Sequence, residues 1–151
     1  QPAADPEDDE RLVARLDGST LMISTADQRL DVVCRFDDLT VPAPDDDQTS
    51  TALVVARAWN QGFNALAVRV TGAGLANGRY RGEPGAGLGT GADAPLGVEG
   101  YACWLERPGM TDRQLTALLE AVLTEAPKLS TFWRENVADA EDEREFLRRQ
   151  G

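Results

Sequence analysis

The sequence predicts an α+β domain in which helices flank an antiparallel sheet. Apolar and polar residues alternate between residues 30 and 36, which is typical of a half-buried strand. Apolar residues recur at helical spacing between residues 115 and 123. Helices and strands fall in separate runs, which favours an α+β layout. The predicted order is helix, two strands, helix, two or three strands, helix.

The first third of the chain predicts a flexible segment, a short helix and a hairpin. Residues 1–9 are proline, alanine and acidic residues with little to bury, so residues 10–151 form the predicted single domain. Residues 10–16 predict a helix that ends near Gly18, because Leu12, Val13 and Leu16 fit one helical face. Strands at 21–23 and 30–36, joined by a turn at 26–28, predict the hairpin.

The middle of the chain predicts a helix, a strand and a loop. The predicted helix spans 49–60, packs Leu53, Ala56 and either Trp59 or Asn60 inward, and ends at Gly62. A strand with alternating apolar residues follows at 66–70. Glycine density over 72–97 predicts a short edge strand near Tyr80 and then a mobile loop over about 82–97.

The last third predicts a strand and a long helix. Residues 98–107 return to strand character, and Thr111 with Gln114 forms the capping-box pattern of a helix start. The helix presents an apolar stripe over 115–123, and Pro127 is predicted to kink or interrupt it. A second stripe over 129–137 leads to a charged tail.

Composition and charge limit the kinds of partner. The 151 residues carry a formal net charge of −11. A field of that sign repels phosphate backbones and anionic lipid, so nucleic acid and membranes are not expected partners, whereas a basic protein surface is compatible with it. No apolar run approaches the roughly 20 residues that span a bilayer. We expect a cytoplasmic protein, although a start at Gln1 leaves a removed leader as an alternative.

The sequence predicts no catalytic, cofactor or metal site, and hence no enzyme. There is no histidine, which excludes Ser-His-Asp and Cys-His arrangements and His-based metal sites. The glycines at 85–91 lack the lysine and the following helix of phosphate-binding loops, and the acidic runs lack calcium-loop spacing. Cys34 and Cys103 are predicted to be buried free thiols, since they lie in apolar runs; a disulfide between them stays open at this point.

One strand carries the candidate partner-binding residue. Tyr101, Cys103 and Leu105 alternate with Ala102 and Trp104. If helices cover only one face of the sheet, one of these sets is exposed, and an exposed apolar sheet face marks a binding surface. We predict Trp104 as the centre of such a face, because tryptophan is enriched among binding hot spots.

Several segments resemble the actinobacterial branch of the YbjN family, whose members are described as bacterial sensory transduction regulators. They are Arg57-Ala58-Trp59-Asn60, Leu66-Ala67-Val68-Arg69, Glu99 to Glu106 and Pro108 to Leu115, with Phe132 and Trp133 at later aromatic positions. The resemblance implies a fold similar to type III secretion chaperones, with frequent dimers. It also implies a regulatory or chaperone-like role without enzymatic activity, and it carries over no functional residues.

These observations favour a non-enzymatic, YbjN-like protein-binding domain whose partner is another protein, a second copy of the chain, or both. Two alternatives stay open. One is a small-ligand-binding or enzymatic domain with its site under the glycine-rich segment at 72–97. The other is a processed envelope or secreted protein.

Overall fold

An antiparallel sheet of five strands forms the centre of the fold in the computed structural model, which describes residues 11–26, 28–72, 94–105 and 109–151. The strands lie in the order β1-β2-β3-β5-β4, and every neighbouring pair is antiparallel. The α+β prediction is therefore confirmed. In chain order the elements are β1 (Arg11–Leu16), β2 (Ser19–Ala26), β3 (Arg29–Arg35), a 3-10 turn (Asp37–Leu39), α1 (Asp46–Asn60), β4 (Ala67–Thr71), β5 (Gly97–Leu105) and α2 (Asp112–Gln150).

The helix predicted at 10–16 is wrong, because residues 11–16 form strand β1. Asp17 and Gly18 make a two-residue turn, and Gly18 has a φ of 71°, a conformation that glycine adopts readily. This turn sets β1 against β2 in register from Leu16 opposite Ser19 to Arg11 opposite Ser24. Pairing with β2 satisfies the backbone groups of this edge strand that face β2, which outweighs a helical stripe only two turns long.

Helix α1 begins three residues earlier than predicted and is rotated about its axis. Asp45 caps it in a reciprocal capping box with Gln48, so the helix starts at Asp46. Leu53, predicted to point inward, is 44% exposed, and Val55 is buried instead. Contacts to β4 explain the rotation, because they hold the last turn of α1 against that strand.

The Trp59-Asn60 pair makes those contacts to β4. The Trp59 indole Nε1 donates a hydrogen bond to the Leu66 carbonyl at 2.8 Å. The Asn60 amide bonds both the N–H and the C=O of Val68, each at 2.8 Å. The amide thus occupies backbone groups on the outer edge of β4, the position at which another strand would pair.

Helix α2 is continuous over 39 residues, and the capping box of Thr111 and Gln114 is confirmed. The expected interruption at Pro127 does not occur. Both Pro127 and Leu123, whose carbonyl loses its N–H donor at the proline, are exposed, so water can bond that carbonyl. The buried residues of α2 are Val122, Ala126, Leu129 and Trp133.

The core lies between the helices and one face of the sheet. Gly100 lets α2 approach β5 closely, since a Cβ at this position would lie 3.3 Å from side-chain carbons of Leu129 and Leu66. Leu96, which was predicted to lie in the mobile loop, is buried and pairs with Val41. The predicted edge strand near Tyr80 and the loop up to residue 93 lie outside the described residues.

Candidate functional site

The sheet has a second face, here called the open face, against which neither α1 nor α2 packs. Buried residues of both helices belong to the core cluster on the opposite face. An apolar row crosses the open face through residues paired in register on all five strands: Val13, Met22, Val33, Tyr101 and Ala67. Val13 is 55% exposed, and the other four side chains are partly exposed. With strands about 4.8 Å apart, the row extends roughly 19 Å.

Arginines flank the apolar row on both sides. Alternation along each strand places Arg15, Arg35 and Arg69 on one side of the row, and Arg11 and Arg29 on the other. All five point outward from the open face, as the residues of the row do. The face therefore combines an apolar strip with cationic borders.

Glu99 joins two of these arginines across three strands. It is paired in register with Arg35 on β3 and with Arg69 on β4. Its carboxylate lies 3.5 Å from the Arg35 Nε and 2.8 Å from the Arg69 Nε, and the residue is only 8% exposed. The Arg69 guanidinium also lies 5.1 Å from the centre of the Tyr101 ring. These contacts hold the arginines in place beside the apolar row.

Among the residues that the structure describes, the open face has the opposite charge sign to the whole protein. Five arginines extend from its strands, against the carboxylates of Asp31 and Glu99, and the Asp37 carboxylate lies at its margin, where it accepts a hydrogen bond from Thr20 at 2.7 Å. These described residues give a local excess of two positive charges on a chain with a net charge of −11. The total charge is compatible with a basic partner, whereas the charge of these described residues favours an acidic one.

Trp104 lies on the helix-covered side of the sheet. It pairs in register with Leu30, which is 3% exposed, and its half-buried side chain packs against the core cluster. Tyr101, from the other set of the same strand, lies within the open face. The aromatic residue of the open face is therefore Tyr101, and the prediction of Trp104 for this place is wrong.

The two cysteines are free and lie on opposite faces of the sheet. Cys34 is fully buried, as predicted, whereas the prediction that Cys103 is buried is wrong. In the β3–β5 register Cys34 pairs with Gly100 and Cys103 with Asp31, so the thiols cannot meet in a disulfide. Burial raises the pKa of the Cys34 thiol. Desolvation, followed by a hydrogen bond and repulsion from Asp31, raises the pKa of the Cys103 thiol.

Cys103 is expected to react with iodoacetamide at neutral pH, while Cys34 reacts only after unfolding. Because the raised pKa of Cys103 keeps most of it protonated, Asp31→Asn should lower that pKa, increase the thiolate fraction and accelerate alkylation. Mass spectrometry of the modified peptides measures each rate. Equal rates at both cysteines, or an unchanged Cys103 rate in Asp31→Asn, would contradict this assignment.

The helix side holds cavities of about 430, 320 and 240 Å³. The cavity of about 430 Å³ lies between the β1–β2 turn and α2. The other two lie between α1 and α2, and the larger of them, of about 320 Å³, is here called the cavity between α1 and α2. In the part of the chain that the structure describes, no group of three or more cysteine, aspartate or glutamate residues is placed to hold a metal ion. Among the same residues, no helix has the length and apolarity to cross a membrane.

Comparison with known proteins finds no relative, since no protein-family model, curated protein or solved structure matches the chain. The fold and the surfaces described above are therefore the observations on which a function can be argued.

Sequence reasoning missed most of the apolar row. Val13 lies in the segment 10–16 that the sequence predicts as a helix, so its place on a sheet face could not be recognised. Val33 did give a signal, since it is the one apolar residue on the polar side of the alternation over 30–36. Tyr101 belongs to one of the two alternating sets of its strand, but the pattern does not show which of the two sets the helices cover.

Proposed function

We propose that this chain is a non-enzymatic protein-binding domain of the YbjN type, with a regulatory or chaperone-like role, that binds an acidic segment of another protein on its open face. The apolar row is the observation that carries the proposal. Apolar side chains continuous across five strands, with neighbours about 5 Å apart, form a contiguous patch that a partner can cover.

The flanking arginines supply the chemistry of the partner. Within the described part of the chain, Arg11 and Arg15 form no ion pair, so no described carboxylate competes with a ligand for their guanidinium groups. Guanidinium groups bind carboxylates through paired hydrogen bonds. An extended segment that alternates acidic and apolar side chains matches an apolar row bordered by arginines, and its acidity distinguishes it from a second copy docked through the same basic face.

The two thiols support a binding role and a cytoplasmic location. A nucleophilic cysteine has a lowered pKa, whereas the pKa values of Cys34 and Cys103 are both raised. A free, exposed thiol such as Cys103 is typical of a reducing compartment. The Trp59-Asn60 contacts to β4 give a structural role to the pair on which the YbjN resemblance partly rests.

Charge reversal on β1 should weaken binding of an acidic peptide. The probe is a fluorescein-labelled peptide that alternates glutamate with leucine, and fluorescence anisotropy measures its Kd. The double variant Arg11→Glu/Arg15→Glu is expected to weaken binding by about tenfold or more, because it replaces attraction with repulsion at exposed positions. The same peptide with glutamine in place of glutamate should bind the unmodified protein similarly weakly.

The matched control is Arg57→Glu/Arg113→Glu, which makes the same change in net charge at exposed positions on the helices. It should keep the Kd within about twofold. An equal loss of peptide affinity in both double variants would show that the effect comes from net charge and not from the position of the arginines. Tighter binding of a single-stranded oligonucleotide, or a dimer in analytical ultracentrifugation that Met22→Glu dissociates, would also overturn the acidic-peptide proposal.

The enzymatic alternative gains no specific observation from the described residues, because its site was placed under a segment of which residues 73–93 lie outside them. The same holds for the ligand-binding alternative, whose predicted site lies under the same segment. The cavity argued next is lined mainly by α1, α2 and residues 38–41, so it is a separate proposal.

A further inference from the structure

The cavity between α1 and α2 has the size and lining of a small-molecule site. Its volume of about 320 Å³ falls within the range of about 300–1,000 Å³ that is typical of ligand pockets. Four buried apolar residues form its inner wall: Leu39, Ala52, Leu96 and Trp133. Neither the open face nor the proposed peptide partner involves these residues.

Thr51 is the unusual residue of the cavity wall. It is 5% exposed, and its Oγ1 is the one buried side-chain polar atom in the described residues that has no hydrogen-bond partner. A buried hydroxyl without a partner destabilises the fold, whereas valine would fill the same volume without that cost. Thr51 lies between this cavity and a smaller one of about 240 Å³ on its other side. A ligand that forms a hydrogen bond with the Thr51 hydroxyl would explain why this position holds threonine and not valine.

The rim of the cavity limits the charge of the ligand. The exposed rim carries Asp38, Arg134 and Glu141, of which Asp38 and Arg134 form an ion pair. The remaining carboxylate leaves the rim negative, which disfavours an anionic ligand. An apolar interior with one buried hydroxyl and a negative rim fits an uncharged molecule with a hydroxyl or carbonyl group.

We propose that the cavity between α1 and α2 binds a small uncharged amphipathic molecule, with its apolar body against Trp133 and its hydroxyl or carbonyl group bonded to Thr51. This site is separate from the open face. Peptide binding there and ligand binding here are expected to be lost in different variants.

A pair of probes of equal shape tests the hydroxyl contact. Benzyl alcohol and ethylbenzene differ by one hydroxyl in place of a methyl group, and titration of the indole N–H signals in NMR spectra measures both Kd values. The ratio of the ethylbenzene Kd to the benzyl alcohol Kd should be about tenfold larger in the unmodified protein than in Thr51→Val. The reason is that only the threonine can bond the hydroxyl of the alcohol. Thr116→Val, at an exposed position on α2, should leave the ratio unchanged.

The Thr51→Val variant is not expected to lose its fold. Its thermal midpoint should rise by about 2–4 °C, since an unpaired buried hydroxyl is removed. Its affinity for the acidic peptide should stay unchanged. The proposal is overturned if the ratio of the two Kd values is the same in the unmodified protein and in Thr51→Val. It is also overturned if neither probe, added up to its solubility limit, shifts the Trp133 signal.

Discussion

Trp59→Ala is expected to lower the free energy of unfolding by about 3–5 kcal/mol, the range for loss of a buried tryptophan. The side chain is 8% exposed, and its ring packs edge-on against Phe132 with 5.3 Å between centroids. Its indole N–H also bonds the Leu66 carbonyl. The substitution removes packing between α1 and α2 and leaves that carbonyl without its donor. Urea unfolding followed by circular dichroism measures the change.

Trp59→Phe separates the two contributions. Phenylalanine keeps most of the apolar volume and loses the hydrogen bond, so it should cost about 1–2 kcal/mol. A cost below about 1 kcal/mol for Trp59→Ala would show that the packing of Trp59 described above is wrong, because the tryptophan would then face solvent.

Leu129→Ala is expected to cost about 2–5 kcal/mol. Leu129 is fully buried, and its Cδ2 lies near Gly100 at the closest approach of α2 to the sheet. The backbone of β5 cannot fill the space that the missing side chain leaves, so the cost should fall in the upper half of the range.

Leu123→Ala on the same helix is the control, since Leu123 is 45% exposed. It should cost less than about 1 kcal/mol. Because both variants replace leucine by alanine in the same helix, the difference in helix propensity is the same in both and cancels in the comparison. Similar costs at both positions would mean that α2 presents a different face to the sheet.

Most helix and strand positions were predictable because their signals are local. The capping box of Thr111 and Gln114 joins residues three apart, and the alternation over 30–36 repeats every two residues. Residues 11–16 were mispredicted because their apolar spacing fits both a helix and an edge strand. The Asp17-Gly18 turn decided between them, and it was read as the end of a helix.

The candidate surfaces needed contacts between residues far apart in the chain. The apolar row joins Val13 to Tyr101, and the Glu99 carboxylate lies between Arg35 and Arg69 only because β5 inserts between β3 and β4. Strand order is a property of the whole chain, so no local pattern shows it.

The sequence by itself determined the fold class, the elements with strong periodicity and the absence of histidine chemistry. The tertiary structure decided which side of the sheet the helices cover, and this one choice buried part of Trp104, exposed Cys103 and left Tyr101 on the open face. The physical reason is that alternation sorts a strand into two sets of side chains, while the packing of distant helices determines which set loses contact with water.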